Sequence, residues 1–401
     1  MSRFQRTGGA GEAQRATTLE LFYDLVFVFA VTQVSHLLLA NLSWEGAGQA
    51  ALILLAVWWS WNYTTWVTNE LDPESNVVRL LLIGLMLASL LMAIAIPEAF
   101  ADKALLFAAS YVAIQVGRHA FLTFAAAERR TLERERAGRI LTWFAVAGAL
   151  WLAGGFARGE ARTALWLAAV ALDYGAPLVL FWVPGRPRLA GETWQVETGH
   201  FAERFGSFVI IALGESIVIT GATTAELPLD SARVLAFGGA FVGTAALWWL
   251  YFTSIAGLAE RALAEAGDRT LLARDAYTYG HVLIIAGIIL SAVGDELVIA
   301  HPSEELTSAK LVAVVVGPIL YLLAQAVLRL RMTGGISYRR TAGALSCVAI
   351  GLLGGVLTAV AVGGLLVAAL IAVIVADRVA AARPGAGRTR AGADRRPPVE
   401  G

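Results

Sequence analysis

The apolar stretch 19–40, which reads LELFYDLVFVFAVTQVSHLLLA, carries side chains that can exchange protons and form hydrogen bonds. Glu20 and Asp24 lie one helical turn apart on one face, and Thr32 and His36 lie further round that face. An ionisable group inside a bilayer costs several kcal/mol unless it faces protein or water. The polar stripe therefore predicts contact with a polar cavity or a partner helix, and hydrogen bonding between helices remains the alternative to a functional role.

Glu20 also has a local explanation. Thr17 precedes it by three residues, which gives the Thr-x-x-Glu pattern of a capping box at the start of a helix. A carboxylate in the first turn is also stabilised by the helix dipole. We therefore keep a helix-capping interpretation and a functional interpretation of Glu20 side by side.

A second segment, HFAERFGSFVIIALGESIVITG from His200, partly matches the first. Glu203 aligns with Glu20, whereas Ser207 stands in the place of Asp24. The two segments therefore share an acidic residue near the start of each helix. We include Glu203 among the candidate residues of a polar cavity or translocation site.

Glu215 is the strongest single candidate in this second segment. It occupies the position of Thr32 in the first segment and lies about 18 Å beyond Glu203 along the helix, which places it near the middle of a bilayer. Gly214 precedes it and lacks a side chain, so we expect another backbone to approach closely there. A carboxylate at this depth needs a partner, water or a proton.

Three further ionisable residues fall inside predicted spans. Arg118 could pair with Asp24 or with Asp173, and the sequence does not choose between the two pairings. His281 could titrate near neutral pH. A lone histidine inside a membrane is, however, more often a hydrogen-bonding residue than a ligand. We count Arg118, Asp173 and His281 as candidate residues of the cavity or translocation site.

The composition indicates which elements position these groups. Of 401 residues, 58% are hydrophobic and 15% are charged, against roughly 25% charged in soluble domains. Apolar runs of about 20 residues match the thickness of a bilayer, so we predict an all-α polytopic membrane protein with about 12 transmembrane helices. We place a turn at Gly363-Gly364. The predicted spans are 19–40, 48–68, 78–96, 104–127, 139–157, 163–183, 201–221, 234–256, 275–299, 311–328, 341–358 and 361–377.

Lysine and arginine are distributed unevenly between the two sides of this topology. Most lie in the N-terminal segment 1–18, the even-numbered loops, the linker 184–200 and the C-terminal tail 379–401. Basic loops stay in the cytoplasm, so we predict a multi-pass protein of the cell membrane with both termini cytoplasmic. The tail is rich in Gly, Ala, Pro and Arg and is predicted to be disordered. The odd-numbered loops carry Lys103, Arg158, Arg162, Arg233 and Lys310.

Internal similarity suggests that the chain consists of two halves. ELFYDLVFVFAV from Glu20 aligns with ERFGSFVIIALG from Glu203, and WWSWNYTTW from Trp58 aligns with WWLYFTSIA from Trp248. Further matched pairs are AIPEAF at 95 with VGDELV at 293, and Tyr111 and Gln115 with Tyr321 and Gln325. Landmarks in the same order predict a repeat.

The repeat divides the membrane part into 19–183 and 201–378, with six helices in each. Because an even number of spans returns the chain to the same side, the two six-helix repeats are predicted to be parallel. Parallel repeats are related by an axis along the membrane normal, and a pocket or pathway is expected where they meet.

Several functional classes lack support in the sequence. There is no phosphate-binding Gly-Lys motif, no His-Glu-x-x-His and no Gly-x-Ser-x-Gly. Cys347 is the only cysteine, so an intramolecular disulfide and a cysteine metal cluster are excluded. We expect no enzymatic activity, no cofactor, no metal site and no nucleic-acid partner. The oligomeric state is not indicated.

The two matched segments resemble a known family. LELFYDLVFVFAVTQVSHLL resembles the signature of the bacterial low temperature requirement A family, and HFAERFGSFVIIALGESIVITG resembles that family's other marked segment. The similarity extends over about 17–378. The resemblance implies an integral membrane protein connected with growth at low temperature. It does not indicate a substrate or a reaction.

A weaker resemblance concerns architecture. FYD at 22–24 is similar to the Phe-Ser-Asp motif of a potassium-channel family that also has two parallel six-helix repeats. The second half reads FGS and lacks the aspartate, so this resemblance does not extend to channel function.

Two functional hypotheses follow. The first is a secondary transporter or channel-like permeation protein for an unidentified ion or small solute, in which the polar stripe of the first span and Glu215 face a shared cavity. The alternative is a non-transporting membrane protein, namely a sensor, a lipid-binding factor or an assembly protein linked to growth at low temperature. In both cases the lipid bilayer is a partner, and a water-accessible cavity at Glu215 would distinguish them.

Overall fold

The computed structural model describes residues 16–126, 131–189, 194 and 196–382. Their regular structure is almost entirely helical, with an isolated antiparallel bridge between Glu305 and Thr358. The first 15 residues, part of the predicted linker and the tail from 383 onward lie outside the described residues. The prediction of an all-α membrane protein is confirmed for the described residues.

The first part of the chain forms six long helices. Few residues separate consecutive helices, and α4 continues into a π-helical turn at Leu122–Ala126. The helices are α1 Thr18–Ala40, α2 Trp44–Thr68, α3 Asn76–Ala95, α4 Ala104–Phe121, α5 Leu132–Phe156 and α6 Gly159–Gly175.

The second part contains eight helical segments. Two π-helical stretches, Tyr251–Ile255 and Ala273–Gly280, join α8 to α9 and α10 to α11 into longer rods. The segments are α7 Thr198–Glu226, α8 Ser231–Leu250, α9 Ala256–Glu265, α10 Arg269–Leu272, α11 His281–Ala300, α12 Ser308–Thr333, α13 Tyr338–Leu353 and α14 Ala359–Ala382.

Nine helical stretches of the described residues are long and apolar enough to cross a membrane, which makes this a multi-pass protein. The other three predicted spans coincide with α2, α6 and α13. Helices α6 and α13 have 17 and 16 residues, which is short for a crossing. Helix α2 has 25 residues but is polar between Trp58 and Thr65, and that stretch is buried by neighbouring helices. It therefore faces protein.

The predicted turn at Gly363-Gly364 is wrong. Both glycines lie inside α14, and the chain instead turns after α13, in a short 3-10 helix at Gly354–Val356. The turn is held by the backbone bond from the Ala359 N–H to the Glu304 carbonyl, at 2.8 Å. Glycine is common within membrane helices, so a Gly-Gly pair there does not by itself mark a turn.

Helices α11 and α12 approach each other closely at glycines. A Cβ atom on Gly317 would lie 2.4 Å from the Ser291 backbone nitrogen, and one on Gly287 would lie 2.7 Å from the Tyr321 nitrogen. Small residues at such crossings let two backbones pack in contact, which is how membrane helices associate.

Gly317→Ala is therefore expected to lower the free energy of unfolding by about 1–3 kcal/mol, because the added methyl group overlaps backbone atoms. Gly364→Ala is the control, since a Cβ atom there meets nothing within 4 Å. Thermal unfolding of both variants in detergent measures the difference. Equal unfolding midpoints would contradict the close approach.

The two helices that carry the predicted polar residues lie side by side. Helix α1 packs against α2, α3, α7 and α11, and α7 packs against α1, α8 and α11. The polar stripe of α1 is thus brought to the surface of α7. This contact positions the candidate site.

Candidate functional site

Four ionisable side chains meet between the first two turns of α1 and α7, and each is at most 1% exposed. Arg204 Nη2 lies 2.6 Å from Asp24 Oδ1, and Arg204 Nη1 lies 3.3 Å from Glu20 Oε1. His200 Nε2 lies 2.9 Å from Glu20 Oε1. We call Glu20, Asp24, His200 and Arg204 the charge cluster.

The helical repeat explains how these four residues meet. Glu20 and Asp24 are four residues apart on α1, and His200 and Arg204 are four residues apart on α7, so each pair lies on one face. The two faces are opposed in the α1–α7 contact. An acidic face thus meets a basic face.

The predicted capping box is present at the start of α1. The Thr17 N–H donates to Glu20 Oε2 at 2.9 Å, and the Glu20 N–H donates to the Thr17 hydroxyl at 3.4 Å. The other carboxylate oxygen, Oε1, contacts His200 and Arg204. Glu20 therefore caps α1 and joins the charge cluster at the same time.

Two neutral side chains extend the charge cluster toward α2. Trp61 Nε1 donates to Asp24 Oδ1 at 2.7 Å, and the Trp61 ring centroid lies 6.0 Å from the guanidinium carbon of Arg204. His200 Nδ1 lies 3.2 Å from Asn69 Oδ1. Asp24 Oδ2 has no hydrogen-bond partner in the described part of the chain. The cluster is thus tied to Trp61 within the polar stretch of α2 and to Asn69 just after the end of that helix.

Trp61→Phe is expected to lower the free energy of unfolding by about 1.5–3 kcal/mol more than Trp59→Phe, because it removes a hydrogen bond to a charged group. Both indoles are fully buried, but Trp59 Nε1 has no hydrogen-bond partner among the described residues. Chemical denaturation in mixed micelles compares the two variants. Equal losses would show that the indole N–H does not stabilise Asp24.

Glu215 and Thr32 meet further along the same α1–α7 contact. Glu215 is fully buried, and its Oε2 is hydrogen-bonded to the Thr32 hydroxyl. That hydroxyl also lies 3.0 Å from the Val28 carbonyl oxygen. In the described part of the chain, Glu215 Oε1 has no hydrogen-bond partner and no cation lies within ion-pair distance of the carboxyl group. Among the described residues, Glu215 is thus a buried acid without a compensating charge.

The expectation for Gly214 is wrong. A Cβ atom on Gly214 would meet nothing within 4 Å, so no neighbouring backbone approaches there. Gly214 lies about 100° round α7 from Glu215 and presents a different face. The group that approaches Glu215 is the side chain of Thr32.

Both predicted pairings of Arg118 are wrong. Arg118 is fully buried, and its Nη1 donates to the Ser60 carbonyl at 3.1 Å and to the Thr64 hydroxyl at 2.7 Å. Its Nη2 donates to Gln115 Oε1. Arg118 reaches Ser60 and Thr64 on α2, which are neutral. Asp24 is instead held by Arg204 on α7 and by Trp61 on α2.

Asp173 is linked to Arg118 only indirectly. The Tyr111 hydroxyl donates to Asp173 Oδ2 at 2.6 Å, and Trp151 Nε1 donates to the same oxygen at 3.0 Å. Gln115 Nε2 donates to the Tyr111 hydroxyl at 3.1 Å. A hydrogen-bonded chain therefore runs from Asp173 through Tyr111 and Gln115 to Arg118.

The remaining predicted residues lie away from the charge cluster. His36 is exposed, and Glu203 is exposed and accepts the Ala16 N–H at 2.8 Å. His281 is buried, with Nε2 at 2.9 Å from the Tyr251 hydroxyl and Nδ1 at 3.0 Å from the Ala276 carbonyl. His281 is thus hydrogen-bonded on both ring nitrogens, as the simpler interpretation predicted.

Sequence reasoning missed two members of the charge cluster, His200 and Arg204. Their signal was the four-residue spacing, which matches that of Glu20 and Asp24 on the aligned helix. Two buried acids on one face call for cations on the face that they meet. The matching spacings mark His200 and Arg204 as candidates, but they do not show which helix faces meet.

A cavity of about 70 Å³ lies at the end of the bundle where α2 and α4 finish. Glu70, which follows α2, is paired in its wall with Arg136. Burial raises the pKa of the Glu70 carboxyl, and Arg136 opposes that shift. None of the predicted site residues lines this cavity. Its wall includes Tyr63, Trp66, Glu70, Arg136, Phe181 and Thr278.

Comparison with known proteins identifies the family. The family model described as bacterial low temperature requirement A protein (LtrA) matches residues 15–375. An uncharacterized protein of Rhizobium meliloti (strain 1021) is 39% identical over 310 residues, which cover 77% of this chain and 75% of that protein. No solved structure matches the chain. The chain therefore belongs to the bacterial low temperature requirement A family.

Proposed function

We propose that this protein is a secondary transporter or channel-like permeation protein for an ion or small solute. It comprises about 12 transmembrane helices in two parallel six-helix halves, with both termini in the cytoplasm of the cell. Neither a catalytic reaction nor a cofactor is part of the proposal.

Two structural correspondences support the division into halves. Helices α1 and α7, the first helices of the two halves, pair with each other. Gln115 on α4 accepts a hydrogen bond from the buried Arg118, and Gln325 on α12 accepts one from the buried Arg340 at 2.8 Å. Helices α2, α6 and α13 complete the twelve.

One observation carries the proposal, namely the uncompensated acid at the α1–α7 contact. Glu215 lies about 16 Å along α7 from Arg204, whose charge is balanced by Glu20 and Asp24. An interface with only a structural role has no need of an unpaired carboxyl group inside the membrane. A carboxyl group that binds and releases an ion, in contrast, must be free of a permanent cationic partner.

The charge cluster has a defined place in this proposal. It ties α1 to α7 at the end where both helices begin, which is the end of the bundle that holds the cavity lined by Glu70 and Arg136. Separation of Arg204 from Asp24 would open the contact at that end. Parallel halves that rock about a central site give alternating access. The cavity is then the cytoplasmic vestibule.

A second candidate function is a non-transporting sensor, lipid-binding factor or assembly protein linked to growth at low temperature. It is favoured by the buried pairing of the charge cluster and by the neutral partners of Arg118. Under this alternative, the buried charges hold helices in register and Glu215 stays protonated.

Electrical recording from reconstituted protein distinguishes the two functions. Liposomes that contain the purified protein are exposed in turn to gradients of H⁺, Na⁺ and K⁺. We expect a protein-dependent current for one of these ions. Currents equal to those of protein-free liposomes under all three gradients would favour the non-transporting alternative.

A further inference from the structure

The cavity at the end of α2 and α4 has backbone of unusual geometry in its wall. Leu180 and Phe181 both line it, and their φ angles are 51° and 53°. No other non-glycine residue in the described part of the chain has a positive φ angle. Residues with side chains avoid this left-handed region, and those that are held in it cluster at ligand-binding and active sites. The strained turn thus marks this cavity as a candidate ligand site.

Two π-helical stretches also contribute to the wall. Leu122–Ala126 lies at the end of α4, and Ala273–Gly280 lies before α11. Each supplies two lining residues, which are Arg274 and Thr278 in the second stretch. π-Helical turns are rare and occur frequently at functional sites. Irregular backbone from both parts of the chain therefore surrounds the cavity.

The size and the aromatic wall of the cavity suit a small apolar molecule. Its volume is about 70 Å³. One water molecule needs about 10–15 Å³ of such space, so a ligand of roughly five to eight non-hydrogen atoms fits. The rings of Tyr63 and Phe181 meet edge to face at 6.1 Å between centroids, and Trp66 and Trp194 also line the cavity. Such side chains pack favourably against another flat ring.

The charged groups of the wall have protein partners or lie in solvent. Arg136 is paired with Glu70, and Arg274 Nη2 lies 2.7 Å from Asp275 Oδ1. Glu133 also lines the cavity and is exposed. An ionic ligand inside the cavity would therefore lose its hydration without meeting a free opposite charge. A neutral ligand fits this wall better than an ion does.

His119 offers an unused hydrogen-bond acceptor in the wall of the cavity. It is 1% exposed, and its Nδ1 lies 3.1 Å from the Gln115 carbonyl oxygen. A carbonyl oxygen only accepts, so Nδ1 carries the hydrogen, and Nε2 of the neutral ring keeps its lone pair. Nε2 forms no hydrogen bond with any described residue. A ligand with an O–H group can donate to it.

The Tyr63 hydroxyl is a second unused polar group in the same wall. Tyr63 is 7% exposed, and its hydroxyl has no hydrogen-bond partner among the residues that the structure describes. The ring centroids of Tyr63 and His119 are 6.0 Å apart, so one small group can reach both side chains. An apolar pocket with a few convergent polar groups is typical of small-molecule sites.

We propose that this cavity binds a small neutral molecule that has a flat apolar body, such as an aromatic ring, and one hydroxyl group. The ligand O–H donates to His119 Nε2, and the ligand oxygen accepts from the Tyr63 hydroxyl. One hydroxyl group serves both positions, because it donates one hydrogen bond and accepts others. Binding at this site is independent of transport. The role of the ligand as the transported solute rests on the proposed function.

Equilibrium dialysis with radiolabelled phenol tests the site. The full chain is placed in lipid nanodiscs, and nanodiscs without protein give the amount of phenol that dissolves in lipid. We expect saturable binding of one phenol per chain. Anisole cannot donate a hydrogen bond and benzoate carries a charge, so each should compete roughly tenfold more weakly than unlabelled phenol or worse.

Three results of this experiment would overturn the proposal. Phenol retention equal to that of protein-free nanodiscs would show that the cavity is not a binding site for this class of molecule. Equal competition by anisole and phenol would show that the hydroxyl group is not recognised. Stronger competition by benzoate than by phenol would show an anion site instead.

Tyr63→Phe tests the hydrogen-bond donor of the site. The variant keeps the ring and loses no hydrogen bond within the described chain, so we expect an unchanged unfolding midpoint and roughly tenfold weaker binding of both phenol and anisole. Tyr277→Phe is the matched control, because the Tyr277 hydroxyl also has no partner among the described residues but Tyr277 does not line the cavity. Unchanged phenol affinity in Tyr63→Phe would overturn the proposal.

His119→Asn tests the acceptor. The asparagine amide can still donate to the Gln115 carbonyl, but it lacks the position of Nε2. We expect the affinity for phenol to fall to that for anisole, since the O–H group of phenol then has no acceptor. A preserved preference for phenol over anisole in His119→Asn would contradict the assigned role of Nε2.

The results for binding and for ion current are separable. Phenol binding as expected in a protein that gives no current would keep this site and remove the transport function. A protein-dependent current without saturable phenol binding would keep the transport function and remove this site.

Discussion

Glu215→Gln is expected to reduce ion-driven current in reconstituted liposomes to the level of protein-free liposomes. The amide has nearly the same shape and can still bond to Thr32, but it cannot gain or lose a proton. No ion pair is lost with the charge, so we expect the free energy of unfolding to change by about 1 kcal/mol or less. Current and thermal unfolding are measured on the same preparation.

Glu203→Gln is the matched control for this loss. Glu203 lies on the same helix, is exposed, and accepts the Ala16 N–H rather than contacting Glu215 or the charge cluster. The same chemical change should therefore leave the current intact. A Glu215→Gln variant with undiminished current would remove the carboxyl group from the transport mechanism.

Arg204→Gln is expected to lower the free energy of unfolding by about 3–5 kcal/mol. The substitution leaves two buried carboxylates, Glu20 and Asp24, without their shared cation. Removal of one partner from a buried ion pair is far more costly than replacement of the whole group, because a buried charge then stays uncompensated. Unfolding by denaturant in mixed micelles gives the magnitude.

Two comparisons identify the cause of that loss. Arg331→Gln breaks the pair of Arg331 with Asp275, in which the arginine side chain is 53% exposed, and should cost about 1 kcal/mol or less. Adding Glu20→Gln and Asp24→Asn to Arg204→Gln neutralises the stranded charges and should restore part of the stability. If Arg204→Gln costs no more than Arg331→Gln, the charge cluster does not stabilise the α1–α7 contact.

Local patterns in the sequence predicted local structure. Apolar length located the membrane helices, and the Thr17-x-x-Glu20 spacing predicted the capping box, because both depend on residues close together in the chain. The face shared by Glu20 and Asp24 was also predictable from the helical repeat. The internal match between the first helices of the two parts drew attention to α7 and to Glu215.

Partner choice was not predictable, because it depends on how each helix is rotated and which helix it meets. Arg118 was matched by charge to Asp24 or Asp173, but its side chain faces neutral oxygens on α2. The cation that pairs with Asp24 is Arg204, not Arg118.

The structural roles of Gly214 and Gly363 were predicted wrongly for a related reason. We expected a neighbouring backbone to approach Gly214, but a Cβ atom there would meet nothing within 4 Å. At Gly317, by contrast, the backbone of Ser291 does approach closely. Gly363 was expected to turn the chain, and it lies within α14. A glycine becomes a turn or a contact point only through its neighbours, and those are set by tertiary packing.

The most direct test of the account is whether water reaches the space between α1 and α7 beside Glu215. With Cys347 replaced by Ala, Thr32→Cys supplies the only thiol, and a membrane-impermeant maleimide is applied to vesicles from each side. Val31→Cys is the dry control, because Val31 is fully buried. We predict that Cys at position 32 reacts from at least one side under an ion gradient while Cys at position 31 does not. A thiol at position 32 that reacts only after unfolding would contradict the account.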